Sequence, residues 1–527
     1  MDLKHHPFKT VPVSKRLYTF IILVVLMMLV MGYVFGMNSD TYAQTPLVWS
    51  TPAEISDANR FNWFADIAVD SYGVPHVIWD SGLTKAEIAI QPDIEVSLLM
   101  HSHLVDGSWS APRDVDAKIN VEGHIFRGAI TADQVGNLFI LYEGDLLKAL
   151  AQRAHESASN WSDPQPVGHG AVYMGGVLAD DQNTLHALFD ELTLLDEPVR
   201  GAYGQVVFTH LSDILYRRSI DGGRTWSDPV NLSRTQVGEH REKLEVDSRG
   251  VIYATWDEGW DRLTEFGLPE QGVLRISFDG GQTWTPKITF AAPERTNAQF
   301  VAIGDGRGGI MAVWRATNRN EIFFSWSTDD GTSWSAPQPI RGLFARPWEE
   351  TRFDSYDLAV DSAGTIHLAT VGRLDEERKD SQVYYLYWNG QVWSEPMMIQ
   401  APHGWPEYPR LILSQGNRLH LVWFVRDQLQ TTGGHYQIWY SGAIAAAQEL
   451  PLPPTPTPTA TVIPTATPTI LPTATLPSVS ITEPEVVAIN NLATILYTEN
   501  DDLLLLLKSL TPVFIIMLVL VFIRRSG

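Results

Sequence analysis

Ser219–Trp226 reads SIDGGRTW, Ser277–Trp284 reads SFDGGQTW and Ser327–Trp334 reads STDDGTSW. The spacing is that of a tight hairpin. An aspartate accepts hydrogen bonds from the turn amides, and a glycine two positions on takes the positive-φ conformation that closes the turn. The tryptophan then starts the return strand. The same strand start, Trp-Ser-x-Pro, occurs at Trp49, Trp109, Trp161, Trp226, Trp334 and Trp393, with Trp-Thr-Pro at Trp284. Proline just inside a strand suits an outer edge, where no amide is needed.

A second pattern interleaves with the first: Asp, then Gly or Asn three positions on, then an apolar strand with an aromatic nine positions on. It appears as Asp70/Gly73/Trp79, Asp133/Gly136/Tyr142, Asp180/Asn183/Phe189, Asp247/Gly250/Trp256 and Asp305/Gly308/Trp314. Asp361/Gly364/Thr370 and Ser414/Asn417/Trp423 are weaker copies. The units recur roughly every 56 residues between positions 47 and 441, a period of the length that marks propellers. The first Trp-Ser-x-Pro precedes every hairpin. The last hairpin is followed by one more strand, Tyr436–Tyr440, and by no Trp-Ser-x-Pro. An N-terminal strand that completes the last unit is how a ring of four-stranded sheets closes. The expected fold is all-β: a β-propeller of four-stranded blades, seven by repeat count. Six is the alternative if the Gly128–Pro164 unit is distorted or absorbed.

S-x-D-x-G-x-T-W is the Asp-box, and three copies at this spacing resemble the sialidase superfamily, also called bacterial neuraminidase repeat propellers. The residues that carry the resemblance are Asp221, Gly223 and Trp226, Asp279, Gly281 and Trp284, and Asp329, Gly331 and Trp334, with Ser333 standing for Thr in the third copy. The resemblance covers residues 47–441. It implies boxes in the turn between third and fourth strands, on the face away from an active site. Its best-known members are secreted carbohydrate enzymes, and others are receptors and assembly factors that cleave nothing.

On the opposite face, second strands end in Asp80, Glu143, Asp190-Glu191 and Asp257-Glu258, then in Arg315, Arg373 and Arg426. The funnel is therefore expected to be acidic on one side and basic on the other. Inner-strand starts add Arg60, Arg127, Arg241, Arg352 and Arg410, with Tyr173, Tyr356 and Tyr408. Long loops are expected after Glu191 and Glu258. The resemblance implies three arginines clamping a carboxylate, a tyrosine nucleophile with a glutamate base, and an aspartate acid; planar guanidinium forks suit a carboxylate. The candidate catalytic residues are Asp80, Glu258 and Tyr408. The candidate ligand-binding residues are Arg241, Arg352, Arg410, Arg315, Arg373 and Arg426. The family's first-blade Tyr-Arg-Ile-Pro is replaced by Arg60-Phe61-Asn62-Trp63-Phe64. Three readings stay open: a glycan or surface-ligand binder, an active exo-sialidase or related glycoside hydrolase, and a protein-binding scaffold.

Composition narrows the classes. Lys and Arg number 38 against 61 Asp and Glu, a net charge of −23, so nucleic acid is not an expected partner. Cysteine is absent, which removes disulfides, thiolate metal sites and a cysteine nucleophile. No cofactor and no metal are expected; His76, His186, His367 and His420 read as packing residues inside hairpins. Of the 18 tryptophans, seven open outer strands and four end second strands. Seven remain for sugar stacking, among them Trp63, Trp260, Trp348 and Trp405.

The ends read as membrane segments. Residues 1–44 hold a basic start and an apolar run, either a signal peptide or an anchor. The propeller spans 45–445. A Pro/Thr-rich stalk occupies 446–480, its 30-residue core from Pro451 to Ser480 reaching about 90 Å as polyproline II. A spacer covers 481–502. Residues 503–527 form an apolar anchor ending in Arg524-Arg525, which places that end in the cytoplasm. Apolar helices are expected at both ends, and a monomer is expected, tethered to the cell membrane with its propeller on the extracytoplasmic side.

Overall fold

The repeated turns close as their side chains require. Asp70 Oδ1 accepts the amides of Tyr72 at 2.9 Å and Val74 at 2.8 Å, while Gly73 adopts φ 79°. Asp180, Asp247, Asp305 and Asp361 hold their turns through the same pair of amides. In the last copy the left-handed positions are Gln415 and Gly416 rather than Asn417. The Asp-boxes add a side-chain lock. Asp279 Oδ1 accepts the amides of Gln282 and Thr283, Oδ2 accepts the Thr283 hydroxyl at 2.6 Å, and Ser277 Oγ accepts the Gly281 amide.

The computed structural model of the chain describes residues 47–453 apart from 91–93, 120–123, 146, 156–159, 202–206, 293–295, 351–352, 354–355, 379, 400–403 and 428–435. The leader, the stalk beyond residue 453, the spacer and the C-terminal anchor lie outside the described residues, as does Arg352. Among the described residues, no helix is long and apolar enough to cross a membrane.

Successive antiparallel meanders make up the described residues. The first sheet pairs Asn62–Val69, Pro75–Ser81 and Val96–Val105, with Ser108–Trp109 and Arg113–Ile119 on its outer side. The second runs through Phe126–Ala132, Asn137–Gly144, Lys148–His155 and Gln165–Pro166. The third comprises Gly175–Ala179, Leu185–Arg200, Val207–Ser219 and Val230–Asn231, and the fourth Glu239–Val246, Ile252–Asp261, Phe266–Ser277 and Ile288–Phe290. An eight-stranded sheet follows. It is two four-strand meanders, Asn297–Ala345 and Tyr356–Ile399, joined where Phe344 and Ala345 pair with Arg373 and Gly372. The final sheet takes Trp405–Ser414, Arg418–Arg426 and Tyr436–Ile444, and its fourth strand is Ala53–Glu54, with Ala53 opposite Tyr440. The chain thus closes its last sheet with its first strand, as the order of the repeats requires. The fold is an all-β propeller with four-stranded blades.

The core lies between neighbouring sheets. Tyr253, Leu274 and Phe290 of the fourth sheet pack with Phe300 and Trp314 of the next. Trp79, Trp256, Trp314 and Trp423, the second-strand tryptophans, are at most 1% exposed. Large indoles fill the gaps that twisted sheets leave between them.

One expectation changes form. The segments after Glu191 and Glu258 are not loops but extensions of their hairpins. Leu192, Thr193 and Leu194 stay paired with Ser212, Leu211 and His210, and Trp260 and Asp261 with Gly267 and Phe266. β-branched and aromatic residues continue the ladder past the sheet. Phe208 and Phe266 join the two projections edge to face, 5.1 Å apart.

Candidate functional site

Five inner strands break register at the same place, between Trp63 and Asp66, Phe126 and Ala129, His240 and Lys243, Ala298 and Val301, and Glu407 and Arg410. Each bulge puts one residue in the left-handed region: Phe64 at φ 48°, Arg127 at 50°, Arg241 at 58°, Gln299 at 60° and Tyr408 at 54°. None is glycine, so the surrounding structure must hold these conformations. The bulge side chains meet across the ring. Arg127 lies 4.7 Å from the Phe64 ring centre and 5.9 Å from that of Phe353, and Phe64 contacts Tyr408 at 5.1 Å.

Carboxylates at second-strand ends fasten these bulges. Asp80 Oδ2 accepts the Arg127 amide at 2.8 Å from the neighbouring sheet. Asp257 likewise accepts the amides of Gln299 and Phe300, at 2.7 and 2.9 Å. Asp190 in the same way accepts the amides of Tyr173 and Met174, just ahead of the first strand of its own sheet. Burial pushes the Asp80 and Asp190 carboxyls above their ordinary range, despite these amides.

A cationic and aromatic cluster sits beside this frame. The hairpin extension of the fourth sheet carries Arg262, positioned by Asp261, whose carboxylate accepts the amides of Ser212 at 2.6 Å and Thr264 at 2.9 Å. Arg262 Nε donates to the Tyr173 hydroxyl at 3.3 Å. Its guanidinium lies 5.6 Å from the Trp260 ring, and Arg127 lies 4.7 Å from the Tyr173 ring. Trp260 meets Trp348 at 6.4 Å, and Trp348 is flanked by Arg241 at 5.4 Å and Arg315 at 5.3 Å. Burial alone would raise the Tyr173 phenol. The guanidiniums of Arg127, Arg262 and Arg241 outweigh it and bring the phenol below its usual value. Arg262, Tyr173 and Trp348 are half-buried, whereas Arg127 and Arg241 are buried beneath them. Arg262 also pairs with Glu265, and Arg241 with Asp257 at 3.4 Å. Chemically this is a partly neutralised cationic floor with one acidified phenol and an indole wall, suited to a carboxylate on a flat apolar scaffold.

The remaining candidate residues separate. Glu258 accepts Gln271 Nε2 at 2.8 Å and Lys287 Nζ at 2.6 Å, on a different sheet from Asp80 and with different partners. Tyr408 is buried, with the Arg410 guanidinium 3.7 Å from its ring centre; Arg410 Nε also lies 3.9 Å from Asp66. On the basic side, Arg373 pairs with Glu350 and Arg426 with Glu407, both at 2.6 Å. Glu407 is shared with Arg346 at 2.8 Å, a wholly buried guanidinium that sequence reading missed. Arg315 donates to the Arg346 carbonyl at 2.7 Å, and burial lowers both guanidiniums to about 10, still charged at neutral pH. Of the candidate arginines, Arg241 and Arg315 flank the Trp348 wall. Arg262 was also missed; its signal was its place just past a long second strand.

Residues 143–421, more than half the chain, match the BNR repeat-like domain. The chain belongs to the BNR repeat-like family. This BNR repeat-like protein is 23% identical over 200 residues to the ulvan lyase of Alteromonas sp. (strain LOR), covering 35% of the chain and 34% of that protein. It is 22% identical over 200 residues to an ulvan lyase of Pseudoalteromonas sp. (strain PLSV), with the same coverage. The chain thus spans about a third of the length of these curated relatives. Among solved structures it is similar to a protein of unknown function from Dyadobacter fermentans, with 13% identity and a TM-score of 0.45 over 76% of this chain and all of that one. It is also similar to the NanB sialidase of Streptococcus pneumoniae, with 13% identity and a TM-score of 0.41 over 76% of this chain and 70% of that one. The membership agrees with the Asp-box reading.

Proposed function

We propose that this propeller binds an acidic, carboxylate-bearing carbohydrate at the cluster of Arg127, Tyr173, Arg241, Arg262, Trp260 and Trp348. The observation that carries the reading is the convergence of three guanidiniums on one phenol beside an indole pair. Charge-assisted contacts take the carboxylate and the indoles take a sugar face. The partial likeness to ulvan lyases supports a polysaccharide ligand. A second reading, turnover of the same ligand, is supported by the lowered Tyr173 phenol, since an acidified tyrosine can act as base or nucleophile. Counting the eight-stranded sheet as two blades gives a ring of seven. The basic, apolar and Pro/Thr-rich terminal sequences support export and a stalked membrane tether.

The test is binding of the full chain to an array of neutral and acidic glycans, repeated with Arg262→Ala. Retention of acidic glycans only, weakened about tenfold to a hundredfold in the variant, fits the loss of one charge-assisted contact. Equal retention of neutral and acidic glycans, or an unchanged variant, would sink the reading. Release of new reducing ends that stops in Tyr173→Phe would establish the enzyme.

A further inference from the structure

Away from that cluster, three imidazoles gather on the first sheet. His76 lies on Pro75–Ser81, and His101 and His103 on Val96–Val105. The register sets His103 opposite His76 and His101 two residues along, so all three share one face. Their ring centres are 5.3, 5.3 and 5.6 Å apart, with planes within 16–24° of parallel. Three near-parallel rings that are mutually equidistant cannot form a column, whose outer pair would be twice as far apart. Their centres form a triangle, and one nitrogen from each falls within 4.8 Å of the others. The centre of that triangle is about 3 Å from each ring centre, a separation compatible with a zinc ion bound to ring nitrogens at about 2.0–2.1 Å.

Two of the three rings have a polar partner on the side away from the cluster, and the aspartate contact of His76 is one that His186 and His367 also make, to Asp180 and Asp361 at 3.3 Å. His76 Nε2 lies 3.1 Å from Asp70 Oδ2, and His103 Nδ1 lies 3.2 Å from Ser110 Oγ. His76 Nδ1 and His101 Nε2 face each other at 3.0 Å. A carboxylate partner such as Asp70 orients a ring so that its other nitrogen is offered to a metal.

Other sheets supply an internal comparison. His186, His367 and His420 occupy the position of His76, and each bonds a tyrosine hydroxyl from the third strand: Tyr216 at 2.6 Å, Tyr385 at 2.6 Å and Tyr440 at 2.8 Å. His101 stands where those tyrosines stand. Opposite the histidine those sheets have Arg218, Tyr387 and Gly442, where the first sheet has His103. The packing role read for these histidines thus holds for a His–Tyr pair, and the first sheet departs from it at two positions, both to imidazole.

We infer that His76, His101 and His103 form a binding site for a divalent transition-metal ion, best suited to zinc, which ties the second and third strands of the first sheet together. Three neutral nitrogens leave a fourth position for water, and His103, half-buried, offers the way in.

The untagged full chain, stripped with a chelator, is titrated with zinc alone and followed by calorimetry and by thermal midpoint. One equivalent per chain is expected, with a rise in the midpoint. His101→Tyr rebuilds the pair used by the other sheets and keeps the fold, and His103→Ala changes a half-buried residue. Both are expected to weaken zinc binding on the order of a hundredfold or more. No uptake by the folded parent, or uptake by both variants equal to the parent's, would overturn the site.

Discussion

Tyr173 shows how a single phenol acquires a use from its surroundings. Desolvation opposes its ionisation, yet Arg127, Arg262 and Arg241 together reverse the sign. Because the ionised form is the one stabilised, its phenolate band should develop at lower pH than that of an ordinary tyrosine. An ultraviolet pH titration of the folded parent is expected to show one early-ionising tyrosine that disappears in Tyr173→Phe. Arg262→Leu removes one of the three cations, the one whose Nε donates to the hydroxyl. It should move that midpoint upward by about one unit or more. An unchanged midpoint would mean that Arg262 does not act on the phenol.

The inner-strand bulge is the element on which the site depends. It aims Arg127 and Arg241 toward the ring centre, and it persists because a carboxylate on a neighbouring strand satisfies its amide. Asp80 is the clearest case. Asp80→Ala leaves the Arg127 amide without that acceptor and should cost about 1–3 kcal/mol in denaturant unfolding. Asp80→Asn keeps an oxygen for the amide and removes the need to bury a carboxylate whose protonation burial already favours. It should cost less than Asp80→Ala, and a reversed order would refute this account. The sequence placed these carboxylates on the funnel side, with Asp80 alone among them as a candidate catalytic residue. Their structural bonds were not legible there, since an aspartate that ends a strand looks the same whether it faces a ligand or a neighbour's amide.

For the molecule as a whole, closure is the decisive feature. The segment that completes the last sheet brings Ile55, 5% exposed, into a cluster with Val422, Phe424 and Ile438, and the Ile55 amide donates to the Ile438 carbonyl at 2.9 Å. Ile55→Ala should therefore destabilise the propeller by about 2–5 kcal/mol, as core truncations do. Ile220→Ala, at a side chain 83% exposed, should be near neutral. Equal effects of the two, measured by urea unfolding, would show that the ring is not held shut at this seam.

The sequence by itself determined the ring. Turn aspartates, positive-φ glycines and strand-opening tryptophans act over a few residues, so their chemistry is readable without knowing what lies across the fold. The order of the two patterns even carried the closure, because it left the first strand and the last sheet complementary. Which charges meet was decided only by the tertiary structure. Arg127, Tyr173, Arg262 and Trp348 come from distant stretches of chain, and the hairpin extension and bulges that bring them together leave no local periodicity. The same holds for the basic side, where Arg346, Arg373 and Arg426 find Glu350 and Glu407. Long-range electrostatics depends on where strands end in space, and that is set by the packing of whole sheets.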